Sequence, residues 1–105
     1  MKHCLQMSLV ILLALGAIAL SSAPASAQDA AATYKSKCAM CHGANGEGKA
    51  AMKTKDFSSP DVQKMSDADL ADVIAKGKAP MKGYEGTLSK DQINDLVKWI
   101  RTLKK

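Results

Sequence analysis

Apolar residues recur at intervals of three and four along most of the chain, the pattern of helices that pack on a core through one face. No run of alternating polar and apolar residues is long enough to predict a strand. We predict a first helix from Ala30 to about Ala39, with Asp29 capping its start. The residues of its apolar face have helical spacing: Ala30, Tyr34, Cys38 and Cys41.

Serine residues mark the start of two later helices. Ser66, followed three positions later by Asp69, predicts a helix that ends at Lys76-Gly77. The positions that it should bury are Leu70, Val73 and Ile74. Ser89 and Gln92 predict a capping box for the last helix, which we expect to continue to the C-terminus. The apolar stripe of that helix consists of Ile93, Leu96, Val97, Ile100 and Leu103.

The segments between these helices are rich in glycine and lysine. Residues 43–55 have no apolar period, so we predict a loop there. Ser59-Pro60 places a capping serine before proline at a first helical position, which predicts a short turn to about Lys64. Residues 77–87 contain proline and several glycines and should form an irregular loop.

The N-terminal 27 residues have the pattern of a secretory signal. Lys2 and His3 precede an aliphatic run, and Ala25-Ser26-Ala27 is a cleavage site of small residues. A membrane anchor is the alternative, but the 12 residues from Leu9 to Leu20 rise only about 18 Å as a helix, against roughly 30 Å for the hydrocarbon core. We predict that residues 1–27 are a cleaved signal peptide and that residues 28–105 form the folded domain, without a membrane anchor.

Cleavage of such a signal implies export from the cytoplasm. We expect the mature protein in the periplasm, or in the thylakoid lumen if the source is photosynthetic.

The length and charge of the chain restrict its class. A chain of 105 residues holds one small domain. The formal net charge of +5 comes from lysines interspersed with aspartates, without a basic block that contains aromatic residues. We therefore expect no binding of nucleic acid, although a docking face for an acidic partner stays open. We also expect a monomer.

The core after residue 27 is poor in large side chains. Alanine is frequent there, and the aromatic residues are Tyr34, Phe57, Tyr84 and Trp99. We expect that so little apolar area does not offset the conformational entropy of folding without a covalent or metal cross-link. Because Cys38 and Cys41 are the cysteines of this part, the choices are a short disulfide, a metal or a covalent cofactor.

The sequence Cys38-Ala39-Met40-Cys41-His42 favours the cofactor. C-x-x-C-H is the attachment signature of c-type haem, in which both thiols form thioethers and the histidine binds iron. A thioredoxin-type motif expects a βαβ context, zinc needs further ligands, and a disulfide across so short a loop removes little chain entropy. We therefore predict one covalent haem c, attached through Cys38 and Cys41, with His42 as the proximal ligand.

The second axial ligand must be another type of residue, because His42 is the only histidine after residue 27. The methionines of this part are Met40, Met52, Met65 and Met81. Met40 lies within the motif, Met52 is only ten residues from His42, and Met65 is expected to pack beside the cap of the next helix. Met81 follows 39 residues after His42 in a predicted loop, so we predict that Met81 ligates the iron.

In these features the chain resembles the small class I cytochromes c, especially bacterial and cytochrome c6-like monohaem forms. The resemblance covers nearly all of residues 28–105, from Tyr34 before the haem motif through Met81 to Leu96-Val97-Lys98-Trp99-Ile100-Arg101. It implies an all-α fold in which one or two short helices and loops wrap a covalent haem. The N- and C-terminal helices would cross, so that Ala30 and Tyr34 meet Leu96 and Trp99.

The chain departs from this family at two prolines. The family usually has a proline after the haem motif whose carbonyl accepts the proximal histidine N–H, but none lies between Gly43 and Ser59. The family also commonly has proline directly after the ligand methionine, whereas here Pro80 precedes Met81 and Lys82 follows it.

The resemblance implies a soluble electron carrier rather than an enzyme. Its partners would be redox proteins, such as a membrane electron-transfer complex and a terminal oxidase or reductase. The alternative is a ligand-binding or peroxidase-like haem protein, which needs a labile sixth position, and residues 77–87 offer no distal histidine or arginine. Lysines near the expected haem edges would either steer acidic partners or only keep the surface soluble: Lys49, Lys53, Lys55, Lys76, Lys78 and Lys82.

Overall fold

The structure is a computed structural model that describes residues 25–104. The signal peptide predicted for residues 1–27 lies outside the described residues except for its last three. Within the described part, no helix is both long and apolar enough to cross a membrane. The elements in chain order are α1 (Ala25–Lys37), α2 (Ala39–His42), a 3₁₀ turn (Ala50–Met52), α3 (Pro60–Gln63), α4 (Asp67–Lys76), β1 (Gly77–Lys78), β2 (Met81–Lys82) and α5 (Lys90–Arg101).

The first and last long helices cross and pack together, which confirms the all-α fold expected from the sequence. Tyr34 of α1 stacks on Trp99 of α5, with ring centroids 4.2 Å apart and planes inclined by 32°. Ala30 and Leu96 are buried in the same core. Burial of these side chains, rather than helix propensity alone, stabilises the two helices.

Helix α1 begins earlier than predicted. It starts at Ala25, so Asp29 lies inside the helix and the prediction that Asp29 caps it is wrong. Alanine has the highest helix propensity, and no glycine or proline interrupts residues 25–37, so the helix extends past the candidate cap. It also ends earlier than predicted, because Cys38 has φ −117° and separates α1 from α2.

The serine caps of α4 and α5 lie where the sequence predicts them. Ser66 Oγ accepts a hydrogen bond from the Asp69 N–H at 3.0 Å. Ser89 Oγ accepts from the Gln92 N–H at 3.1 Å, while Gln92 Oε1 accepts from the Ser89 N–H at 2.8 Å. The start of each helix is therefore fixed by groups close in the sequence.

Three details of the predicted helices differ in the structure. Pro60 opens α3 as predicted, but the Ser59 side chain makes no capping hydrogen bond. Val73 is half-buried rather than buried. Helix α5 ends at Arg101, so Leu103 lies beyond the helix and is half-buried.

The loop predicted for residues 77–87 contains a small hairpin. Strands β1 and β2 pair in antiparallel register, with Gly77 opposite Lys82 and Lys78 opposite Met81. Gly77 has φ +78°, and a Cβ there would lie 2.6 Å from the Met81 carbonyl oxygen, so only glycine fits this close approach. Strands of two residues are too short to show an alternating pattern, which is why the sequence did not predict them.

Arg101 connects α5 to the segment that precedes α4. Its Nε donates to Asp67 Oδ1 at 2.9 Å, its Nη1 to the Gln63 carbonyl at 2.9 Å, and its Nη2 to the Met65 carbonyl. Gln63 Nε2 donates in turn to the carbonyls of Phe57 and Ile100. These bonds hold the middle of the chain against the last helix.

Replacing Arg101 with lysine should lower the free energy of unfolding by about 2 kcal/mol. The three N–H groups of a lysine ammonium share one nitrogen, so they do not match the acceptors that three separate nitrogens of the planar guanidinium reach. Urea unfolding of the haem-loaded protein measures the change, with Lys98→Ala as the control because the Lys98 side chain is 81% exposed. If Arg101→Lys unfolds at the same urea concentration as the wild type, these hydrogen bonds add little stability.

Candidate functional site

A small apolar cavity of about 30 Å³ lies between the crossed helices and the β1–β2 hairpin. Its lining combines predicted site residues with core side chains: Tyr34, Cys38, His42, Phe57, Ile74, Met81, Leu96 and Ile100. The fold thus brings Cys38, His42 and Met81 to one cavity. Cys41 is half-buried and does not line it.

The turn between α1 and α2 presents the two thiols. The Cys38 N–H still bonds to the Tyr34 carbonyl at 2.8 Å, and the Cys38 carbonyl accepts from the N–H groups of Cys41 and His42. Cys38 and Cys41 are both free thiols, so the short disulfide considered from the sequence is not formed. Burial raises the pKa of the Cys38 thiol, which keeps it protonated at neutral pH.

The carbonyl groups at the end of α2 are held by residues from other segments. Tyr34 Oη donates to the Gly43 carbonyl at 2.5 Å. Thr54 Oγ1 donates to the Cys41 carbonyl at 2.7 Å, and the Gly48 N–H donates to the His42 carbonyl at 2.8 Å. The loop after the haem motif therefore folds back over the motif and fixes its backbone.

The His42 imidazole is half-buried beside an aromatic ring. Its ring centroid lies 4.8 Å from that of Phe57, and the two planes are inclined by 30°. Burial lowers the pKa of His42, so the ring stays neutral at physiological pH, and the neutral ring is the form that binds a metal. Its Nδ1 is buried and has no hydrogen-bond partner within residues 25–104, as expected where no proline carbonyl follows the motif.

The methionines of the described part differ in their surroundings. Met81 is half-buried and is the one among them that lines the cavity with His42. Met40 is 82% exposed and Met52 is 47% exposed. Met65 packs against the core outside the cavity.

The hairpin that carries Met81 is fixed on both sides. The Tyr84 N–H donates to the Ile74 carbonyl at 2.9 Å and the Glu85 N–H to the Ala75 carbonyl at 3.0 Å. Tyr84 Oη donates to the Lys37 carbonyl at 3.1 Å, one residue before Cys38. Met81 and the thiol motif are thus connected through Tyr84.

These residues fit a covalent haem. The cavity is apolar, the thiol of Cys38, a neutral imidazole and a thioether share its lining, and the second free thiol, Cys41, lies one turn along from Cys38. Because Nδ1 is buried, Nε2 is the nitrogen of His42 that would be available to an iron atom. No group of three or more His, Cys, Asp or Glu residues in the described part forms a site for a bare metal ion, which disfavours the zinc alternative.

Sequence reasoning missed the contributions of Phe57 and Thr54. Phe57 is the only aromatic residue between His42 and Tyr84, a signal that was available in the sequence. Thr54 lies in the glycine- and lysine-rich loop, where nothing in the pattern distinguishes it.

Comparisons with known proteins bear on the family of the chain. The model of the family described as "Cytochrome C oxidase, cbb3-type, subunit III" matches residues 25–100. Two curated relatives are each called "Alcohol dehydrogenase (quinone), cytochrome c subunit", from Gluconacetobacter polyoxogenes and Komagataeibacter europaeus. Both are 38% identical over 81 residues and cover 67% of this chain, which spans 17% of their length.

Solved structures show the same fold. The KustC0563 c-type cytochrome has a TM-score of 0.68 and 26% identity, covering 73% of this chain and 99% of its own. Cytochrome CL from the marine methylotrophic bacterium Methylophaga aminisulfidivorans MPT has a TM-score of 0.65, covering 79% of this chain and 56% of its own. At 21% identity, the second likeness bears on the fold alone.

The family model extends from α1 to α5 and includes the thiol motif. The cavity and the structural neighbours point to the same class of protein. The chain belongs to the family described as cytochrome c oxidase, cbb3-type, subunit III, and is a small class I c-type cytochrome with covalent haem and a role in electron transport.

Proposed function

We propose that the protein is an exported electron carrier with one haem, in which Cys38 and Cys41 form the thioethers and His42 and Met81 are the axial ligands. The observation that carries this proposal is the single cavity lined by Cys38, His42 and Met81. The two thiols are three residues apart on one turn, the spacing at which both reach one haem edge.

The residues around the cavity set the conditions for electron transfer. The haem supplies one-electron chemistry when bound. His42 offers a neutral imidazole, and Met81 offers a soft thioether that favours reduced iron. Ile74, Leu96 and Ile100 give the cavity an apolar wall. If His42 and Met81 both bind the iron, no coordination position would remain for a substrate, so we propose a carrier and not an enzyme.

A visible spectrum with and without carbon monoxide tests this function. The reduced wild-type protein should show a low-spin c-type spectrum that carbon monoxide does not change, because Met81 fills the sixth position. A spectrum that shifts with carbon monoxide at neutral pH would instead support the ligand-binding or peroxidase-like alternative.

We propose the periplasm as the site of action, from the signal pattern of residues 1–27. Cleavage after Ala27 would remove residues 25–27 of α1, of which Ser26 and Ala27 are exposed, so no described core contact would be lost. Mass spectrometry of the mature protein should place its N-terminus at Gln28. A mature protein that keeps residues 1–27 would contradict the signal peptide.

The proposed partners are a quinone-linked membrane dehydrogenase as donor and a terminal oxidase or reductase as acceptor. The names of the curated relatives and of the matching family support this choice. Among the lysines expected to steer such partners, Lys76 pairs with Asp72 at 3.1 Å and Lys55 with Asp61 at 3.6 Å. Lys82 lies 5.2 Å from the centre of the Tyr84 ring, beside Met81. We infer that Lys78 and Lys82 contribute more to steering than Lys76.

Charge removal at the hairpin tests this inference. Lys82→Gln should slow electron transfer with an acidic redox partner several-fold at low ionic strength, because electrostatic steering sets the association rate. Lys76→Gln is the matched control and should have a smaller effect, since Asp72 already offsets its charge. Stopped-flow measurement of the electron-transfer rate at increasing salt concentration tests whether these lysines steer the partner. Rates that do not fall with salt in the wild type would mean that these lysines only keep the surface soluble.

A further inference from the structure

Phe57 lies in a loop, but hydrogen bonds and ring contacts fix its position. Its N–H donates to the Gly46 carbonyl at 2.7 Å, and its carbonyl accepts from Gln63 Nε2 at 2.6 Å. Tyr34 meets its ring edge-on, with centroids 6.2 Å apart. A Cβ at Gly46 would lie 2.8 Å from Phe57 Cδ2, so the loop backbone approaches the ring closely. The position of this ring is therefore fixed from several sides.

The face of the fixed ring lies against His42. The two rings are 4.8 Å apart and nearly stacked, at 30°, and both line the cavity. A hydrogen bond from Nδ1 usually sets the plane of an iron-binding histidine. Here Nδ1 is buried without such a partner in the described part of the chain. Packing against Phe57 is a contact that can orient this imidazole instead.

We propose that Phe57 is the positioning residue of the proximal imidazole: its ring sets the plane of His42 and shields Nδ1 from water. This inference rests on the proposed ligation by His42. An acceptor at Nδ1 makes an imidazole a stronger donor to the metal, which favours oxidised iron. By keeping Nδ1 without an acceptor, Phe57 raises the reduction potential above that of a solvated histidine.

The variant Phe57→Leu removes the flat ring and should let water reach Nδ1. Potentiometric titration of the haem-loaded variant should show a lower reduction potential than that of the wild type. We expect the one-electron equilibrium to shift about tenfold toward oxidised iron, which corresponds to about 59 mV. Proton NMR should show faster solvent exchange of the His42 Nδ1–H. Phe57→Tyr keeps the aromatic ring, so its reduction potential and its Nδ1–H exchange rate should equal those of the wild type.

Val62→Ala is the control for a purely structural role. Val62 is 7% exposed and belongs to the same core, but it does not line the cavity. This variant should lose stability while its potential and its Nδ1–H exchange stay at the wild-type values.

If Phe57→Leu does not retain haem, the variant Phe57→Met takes its place in the experiment, since the flexible methionine side chain fills similar volume without a planar face.

The outcomes separate this inference from the proposed function. A paramagnetically shifted His42 Nδ1–H signal in the oxidised wild type shows that His42 binds iron, and its absence would overturn the proposed ligation. If that signal is present but the potential and exchange are unchanged in Phe57→Leu, the role of Phe57 is wrong while the ligation stands. Equal changes in Val62→Ala would also overturn the role of Phe57.

Discussion

The double variant Cys38→Ala, Cys41→Ala is expected not to accumulate as a folded protein. The apolar cavity is partly open to solvent and is lined by residues of both crossed helices. Without a covalent haem, Tyr34, Leu96 and Ile100 would lose an apolar partner on that side. Small domains have little stability in reserve, so this loss should be decisive.

Purified yield, haem content and circular dichroism measure this effect. Met40→Ala is the matched control, because Met40 lies between the two cysteines but is 82% exposed. It should keep wild-type haem content and helicity. A double cysteine variant that folds well without haem would show that the protein core is sufficient alone.

The features predicted best from the sequence depend on residues close together in the chain. The capping pairs Ser66 with Asp69 and Ser89 with Gln92 act over three residues, so their hydrogen bonds could be predicted directly. The thiol motif is equally local. The crossing of α1 and α5, seen in the contact between Tyr34 and Trp99, was instead implied by resemblance to a family.

The features that the sequence did not reveal depend on distant residues or on weak preferences. Arg101 bonds to residues 34 to 38 positions earlier, and no periodic pattern encodes such a link. The start of α1 at Ala25 shows that alanine propensity extended the helix past Asp29, a residue that only prefers to cap. Stacking of Phe57 on His42 needs the loop between them to fold back, which glycine-rich sequence permits but does not specify.

The proposed ligation of iron by Met81 predicts the other large effect. Met81→Ala should keep the thioethers and the haem content but lose the low-spin His/Met spectrum, because the sixth position opens to water, carbon monoxide or a nearby lysine. The potential should fall by more than about 59 mV, a tenfold change in the one-electron equilibrium, since a soft thioether favours reduced iron. Visible spectroscopy and potentiometric titration measure the two changes.

Substitution of the other methionines separates ligation from general loss of packing. Met52 is 47% exposed, so Met52→Ala should change neither spectrum nor potential. Met65 packs on the core outside the cavity, so Met65→Ala should lower stability by about 2 kcal/mol or more and keep the low-spin spectrum. The hairpin should stay in place in Met81→Ala, because Tyr84 still bonds to Ile74 and Lys37. If Met81→Ala keeps the His/Met spectrum and either control loses it, another methionine binds the iron. The assignment of Met81 would then be wrong, while the assignment of the protein as a cytochrome would stand.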